Sequence, residues 1–274
     1  MVNPIITAAL TGPVATKADN PGLPGSVAEI AANAKAAYAA GAAVIHIHLR
    51  DDQGNMTVDV DVARRTVEAV RDVCPGIVQL STGGLAFAYE DRMKLVEAKP
   101  AMATLNPCTM TFGAEEFRNP PKQMMELAAR MIELGIKPEV EIYDTGHLGM
   151  MMGLVKKGLL LEPLQVSFVM GVKGGMTGDP TLLAYLVREL PPNTSWQVIA
   201  VARANLPMTT IGLAMGGNAR TGMEDTLMVE PGKPAISNAQ LVERLVGVAR
   251  SLNREPAAVA EVVERLKLSP ELVG

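Results

Sequence analysis

The chain has 274 residues, of which 48% are hydrophobic and 20% charged, so it can bury a sizeable core. A net charge of −4 and an isoelectric point near 5.5 argue against a nucleic-acid partner, because nothing would neutralise phosphates in bulk. Two distant cysteines, Cys74 and Cys108, build no disulfide framework and fit a reducing, cytoplasmic setting, and no apolar run reaches the roughly 20 residues of a membrane-spanning helix.

The opening MVNPIITAALTGP has no basic segment and is apolar for too few residues to span a bilayer. Its predicted strand, residues 4–11, runs into Thr11-Gly12-Pro13-Val14. A helix follows over 26–40, with Ser26 and Glu29 at capping-box spacing and Ile30, Ala34 and Tyr38 marking one buried face. The second strand, 43–49, carries His46 and His48 one residue apart, hence on the same face, with Arg50 at the same parity. Two imidazoles on one face are either hydrogen-bonded packing residues or half of a metal site. The pair alone leaves both readings open.

After a helix over 60–73, a third strand, 77–82, ends in Ser81-Thr82-Gly83-Gly84. The fourth, 101–106, places Thr104 and Asn106 on one face as candidate substrate contacts, and a helix covers 121–134. The fifth strand, 138–144, alternates Glu139, Glu141 and Tyr143; Glu141 suits a salt bridge to Arg50 as well as a functional role. His147 opens the next helix, where capping or packing is the usual task. A sixth strand, 164–170, leads into the Gly-rich stretch 171–180, which suits either a plain turn or backbone N–H groups approaching phosphate, with Lys173 beside it. A helix over 180–190 and strands at 195–202 and 219–224 follow; the last puts Arg220, Gly222 and Glu224 on one face, with Asp225 just beyond. The Met150-Met151-Met152 run, like most of the 17 methionines, reads as adaptable core filling.

Eight strands alternating with helices predict a parallel sheet closed into a (β/α)8 TIM barrel. No G-x-G-x-x-G supports an open doubly wound sheet, and no linker divides residues 1–274, so one domain is expected, with 238–274 as a helical extension outside the barrel or on a neighbour. Barrel chemistry sits at the C-terminal ends of the strands. Strands one and eight are neighbours there, so Glu224 approaches His46 and His48 across strand one, and two imidazoles with a carboxylate form a recurrent three-ligand zinc set. A solvated loop end remains the bland alternative for Glu224 and Asp225.

The combination of ITAALTG, HIHLRDD, QLSTGG, MATLN, PEVEIYDTG, FVMGVKGG and RTGMED resembles the β-keto acid cleavage enzyme family, in order and spacing, from about Pro4 to Arg250. The resemblance implies a zinc-dependent exchange in which a β-keto acid and acetyl-CoA give acetoacetate and a new acyl-CoA. It implies His46, His48 and Glu224 as metal ligands and Arg220 with Asp225 as the proton-abstracting pair. Ser81, Gly84 and Thr104 would hold the keto acid, with Glu141 near the metal. It also implies a homotetramer, with the C-terminal helices suited to an interface.

Asp225 beside the permanent Arg220 cation is expected to have a depressed pKa and to need help from the metal as a base. Members of the family that cleave 3-keto-5-aminohexanoate carry an acidic residue two positions beyond the T-G pair, where this chain has Val14. A valine cannot pair an ammonium, so an uncharged-tail keto acid is expected. Two rivals remain. A hydrolase of the amidohydrolase kind would carry H-x-H on the first strand and draw further histidines from later ones, whereas only His147 is left over. A non-catalytic acyl-CoA or keto-acid binder would have no use for a base at Asp225.

Overall fold

Eight short parallel strands close on themselves in the computed structural model, which describes residues 2–273. They are β1 Ile6–Ala9, β2 Val44–Ile47, β3 Ile77–Leu80, β4 Met102–Leu105, β5 Lys137–Ile142, β6 Gln165–Met170, β7 Ser195–Ala200 and β8 Asn218–Thr221. Ile6 paired with Ala219 joins β1 to β8 and closes the circle, and Ala9 paired with His46 fixes β2 on the other side. Both faces of the strands are covered, by side chains inside and by helices outside, so nearly every strand residue is buried. This is the TIM barrel that the alternation predicts.

The helices are α1 Val27–Ala39, α2 Val60–Arg71, α3 Tyr89–Met93, α4 Pro121–Leu134, α5 Gly146–Lys156, α6 Pro180–Arg188, α7 Asn205–Ala214, α8 Asn238–Ser251, α9 Val259–Leu266 and α10 Pro270–Val273. Ser26 caps α1 by accepting from the Glu29 N–H at 3.3 Å, but the Glu29 carboxylate accepts from Gly25, 2.7 Å away, so only half of the expected capping box forms. Ile30 and Ala34 bury on the predicted face, with Ala37 beside them and Tyr38 at its edge.

The predicted C-terminal extension divides. α8 is the eighth helix of the ring, packed between α7 and α1, and Val242, Leu245 and Val246 join the core cluster of Ile30 and Ala34. Only α9 and α10 lie beyond the ring, across the N-terminal end of the barrel. The Ala257 N–H donates to Pro4, and Val262, Leu266 and Leu272 pack with Ile5, Ala101, Ile136 and Leu164, which all precede strands. Arg254, buried at 2% exposure, clamps this end by donating to the carbonyls of Val2, Leu213, Gly216 and Gly217.

Two small antiparallel hairpins stand on the opposite rim. Met110–Phe112 pairs with Glu115–Phe117, and Met228–Glu230 with Lys233–Pro234. Neither was among the predicted strands. Each is built around a glycine of positive φ, Gly113 at 68° and Gly232 at 75°, which supplies the reversal. Among the described residues no helix is long and apolar enough to cross a membrane.

Candidate active site

The strands end before the residues they were expected to carry. β2 stops at Ile47 and β8 at Thr221, so His48 and Glu224 sit on the first residues of the rim loops. At Gly222 the chain breaks away from β8 with φ at +148°, and a β-carbon there would collide with the Ala9 carbonyl. The turn is held by the Asp225 and Thr226 N–H groups, both donating to the Gly222 carbonyl at 3.0 Å, and it swings Glu224 back over β1. Gly12 makes room for it: a β-carbon at Gly12 would lie 2.5 Å from Glu224 Cγ. Alternation along a strand thus accounts for His46, whereas turn geometry positions Glu224.

These loops bring His46, His48 and Glu224 together, with one potential ligand atom from each lying within 4.8 Å of the others. His46 Nε2 is 3.3 Å from Glu224 Oε2, and His48 Nε2 is 3.5 Å from Glu224 Oε1. Both His46 Nε2 and Glu224 Oε2 are buried with no hydrogen-bond partner among the described residues. Buried orphans of this kind are costly unless something pairs them. Two imidazole nitrogens and a carboxylate oxygen are a donor set that could hold a divalent cation.

Arg220 organises the acids around this centre. Its Nε and Nη2 bind the Asp225 carboxylate in bidentate fashion at 3.0 and 2.7 Å, and Nη2 also reaches Glu224 Oε1 at 2.6 Å. Its Nη1 lies 3.8 Å from Glu141 Oε1 and has no hydrogen-bond partner among the described residues. The anticipated Glu141–Arg50 pair does not form. Arg50 turns instead to the loop after β1, donating to Thr11 Oγ1 and to the carbonyls of Gly12 and Ala15.

Burial governs the titration of the site. Burial and the Arg220 cation oppose a charge on His46, yet Glu224 and Glu141 outweigh them and hold its imidazole above the ordinary value. Burial holds His48 below it, against the pull of Glu224. Glu224 is also raised by burial, but Arg220 and both imidazoles carry its carboxyl well below the usual range. Glu141 is pushed up to about 7 by burial, which Arg220 only partly offsets. For Asp225 the expected depression by Arg220 is reversed. Full burial outweighs the cation and lifts the carboxyl above its ordinary value, making it a better base than the sequence suggests.

A cavity of about 760 Å³ opens over the centre. Val14, His48, Ser81, Gly84, Glu141, Arg220, Glu224 and Asp225 line it. Thr104 does not: it is fully buried, with its hydroxyl accepting from the Thr82 N–H at 2.9 Å, so it pins the end of β3 to β4. Asn106 is also absent from the wall, but its amide oxygen and nitrogen are both buried without a partner among the described residues. His147 keeps to its helix start, where Nδ1 accepts from the Tyr143 N–H at 3.3 Å. Lys173 is exposed outside the cavity, and its carbonyl accepts from Gly113 in the first hairpin.

Tyr143, placed by the sequence on one face with Glu141, lies on an aromatic wall whose other members, Phe112 and Phe117, sequence reasoning did not single out, nor did it mark Arg203 and Arg244 in the same cavity. The alternation M-T-F-G-A-E-E-F signals the hairpin that carries the two phenylalanines. No local pattern marks the two arginines, which come from the β7–α7 loop and from α8.

A closed (β/α)8 barrel with a cluster of buried acids, imidazoles and a guanidinium on its C-terminal rim is the layout of a barrel enzyme. Residues 4–268 match the family described as beta-keto acid cleavage enzyme. The chain belongs to that family. It is 40% identical to the 3-keto-5-aminohexanoate cleavage enzyme of Acetoanaerobium sticklandii over 97% of this chain and 98% of the relative. It is 34% identical to the 3-oxoadipate:acetyl-CoA acetyltransferase of Cupriavidus necator over 98% of this chain and 97% of the relative. The fold is also that of ObcA, solved in a ternary complex with a C4-CoA adduct and oxalate, with a TM-score of 0.79, 19% identity, and coverage of 90% of this chain and 68% of that one.

Proposed function

We propose that the protein is a zinc-dependent acyltransferase that exchanges acyl groups between a β-keto acid and acetyl-CoA. R–CO–CH2–COO⁻ and CH3–CO–SCoA would give CH3–CO–CH2–COO⁻ and R–CO–SCoA, which balances without any oxidant or reductant. The observation that carries the reading is the pair of buried orphan atoms, His46 Nε2 and Glu224 Oε2, facing each other beside the bidentate Arg220–Asp225 pair. Family membership and the names of both relatives point to the same chemistry.

His46, His48 and Glu224 would hold the ion, which supplies a Lewis acid for the oxygens of the keto acid. Asp225 takes a proton from the carbon between ketone and carboxylate. That carbon bonds to the acetyl carbonyl carbon of acetyl-CoA, and the CoA thiolate leaves. The thiolate then attacks the original ketone carbon, the carbon–carbon bond breaks towards the new acetoacetate, and Asp225 returns the proton. Arg220 holds Asp225 by two hydrogen bonds and keeps Nη1 free for a substrate oxygen. The Ser81 hydroxyl, on the cavity wall, can donate where negative charge develops, while Gly84 leaves the wall open beside it. The unpaired amide of Asn106 is the second polar group suited to the acid. In our reading Thr104 acts by fixing the Ser81–Gly84 loop through Thr82.

Arg203 and Arg244 make no ion pair among the described residues and suit the phosphates of CoA. Val14 on the apolar wall supports an uncharged tail on the keto acid. Free Cys74 and Cys108 fit a reducing compartment such as the cytoplasm. The exposed Met228 and Ile236 suit contacts in a homotetramer, which a native mass would check. A hydrolase of the amidohydrolase kind loses ground because His147 stays away from the cavity, and a pure binder has no need of Asp225.

Metal analysis coupled to turnover tests the proposal. About one divalent ion per chain, zinc above all, is expected for a site with these donors. Acyl-CoA should appear only when acetyl-CoA is supplied. His46→Ala and Glu224→Gln should lose the ion and the turnover while staying folded; full occupancy in both would overturn the assignment.

A further inference from the structure

The barrel interior directly beneath the site is polar, where stacked Val, Ile and Leu would be the ordinary filling. Thr7, Gln79, Glu139, Ser167 and Gln197 meet there, each no more than 1% exposed. Gln79 Nε2 and Gln197 Nε2 both donate to the same atom, Glu139 Oε2, at 2.9 Å. Gln197 Nε2 also reaches Ser167 Oγ at 2.9 Å, and its amide oxygen accepts from the Thr7 hydroxyl at 3.0 Å. The remaining atom of Gln79, Oε1, lies 2.8 Å from His46 Nδ1.

This connectivity has a direction. A glutamine amide can turn either end towards a neighbour, but Glu139 Oε2, as a carboxylate oxygen without a proton, only accepts. Each glutamine must therefore present its NH2 to Glu139. Gln79 is left with its oxygen towards His46, and an oxygen can be satisfied there only by an N–H on Nδ1. The proton of neutral His46 is thus fixed on Nδ1, and the lone pair of Nε2 faces Glu224. No cation lies within ion-pair distance of Glu139 among the described residues, and its Oε1 has no partner. A buried carboxylate held so poorly is a poor choice for stability alone.

We propose that Glu139, acting through Gln79, is a positioning residue: it sets the tautomer and ring orientation of His46 and so aims Nε2 at the metal position. The metal half of this inference rests on the function proposed above, whereas the tautomer half does not. Neither residue touches substrate.

The test uses the full chain labelled with nitrogen-15 at histidine. In metal-free protein, at a pH where His46 is neutral, its ring should show the Nδ1–H form. Glu139→Gln, which differs by one heavy atom and keeps the volume, lets either end of residue 139 face Gln79 and should give mixed tautomers. Gln79→Leu should lose the Nδ1–H preference even if Glu139→Gln folds poorly. With cadmium-113 bound, the coupling should run to His46 Nε2. Zinc affinity by chelator competition should fall roughly 10- to 100-fold in both variants, the usual effect of losing a partner behind a ligating histidine. The KM for keto acid at saturating zinc should hold, which a general loss of packing would not predict. An Nε2–H ring in wild type overturns the inference, as does a Glu139→Gln protein that keeps both a single tautomer and wild-type affinity. If wild type binds neither zinc nor cadmium, the metal reading fails and the metal-free spectra still decide the tautomer.

Discussion

Arg220 is the residue on which the site turns, because a single buried guanidinium faces three carboxylates and cannot neutralise all of them. Its two shortest contacts go to Glu224 and Asp225, while Glu141 is left 3.8 Å away. The outcome is a graded set of acids: Glu224 stays an anion, and Asp225 and Glu141 are pushed upwards by burial. A carboxylate that is buried yet pinned in a bidentate grip is suited to taking and returning a proton at one carbon. Asp225→Asn preserves size and most of the contact, so metal content should be unchanged while kcat falls by roughly 10²- to 10⁴-fold, the usual range for loss of a general base. Steady-state kinetics check this, and a change confined to KM would make Asp225 a binding residue instead.

Among the elements, the loop after β1 couples support to specificity. Arg50, anchored at the end of β2, ties down the carbonyls of Gly12 and Ala15 on either side of Val14, and so fixes where the Val14 side chain stands on the cavity wall. The Met110–Phe117 hairpin contributes Phe112 and Phe117 to the same cavity. An isopropyl group and aromatic rings lining one cavity favour an aliphatic tail, each buried CH2 contributing roughly 0.8 kcal/mol. Wild type should therefore show higher kcat/KM for 3-oxohexanoate than for 3-keto-5-aminohexanoate. Val14→Glu supplies an anion for the ammonium and should reverse the order. A wild type that prefers the amino substrate would mean that another carboxylate on the wall, Glu141 first, meets the charge.

For the whole molecule, the site is a load on stability that the far end of the barrel helps to offset. Arg254 and the helices α9 and α10 close the N-terminal face, while the C-terminal face keeps its acids buried. Glu141 makes this measurable. Its folded pKa of about 7 lies above its ordinary value of 4.5, so folding favours the protonated acid. That contribution is complete below the ordinary value and is lost as the pH rises through about 7. A shift of this size corresponds to roughly 3 kcal/mol. In metal-free protein, denaturant unfolding should show wild type losing stability relative to Glu141→Gln over that window; parallel pH profiles would remove Glu141 as the cause.

Much of this was legible in the sequence, for reasons that are local. Strand–helix alternation depends on short-range hydrophobic period, and it is enough to predict the closed barrel. The parity of His46 and His48 and the adjacency of first and last strands are enough to place two imidazoles near a carboxylate. Chain order also marks the strand end that carries Arg220 and the rim loops that carry Ser81 and Asp225. What only the tertiary structure decided are quantities set by neighbours far apart in the chain. Thr104 turned inward because Thr82 claims its hydroxyl; α8 entered the ring because α1 and α7 leave a gap there; Arg50 took loop carbonyls rather than Glu141. The sign of the Asp225 shift belongs to the same group. Pairing with Arg220 is visible from five residues of sequence, but the desolvation that outweighs it is the summed effect of every segment packed around the rim, and no window of sequence contains that sum.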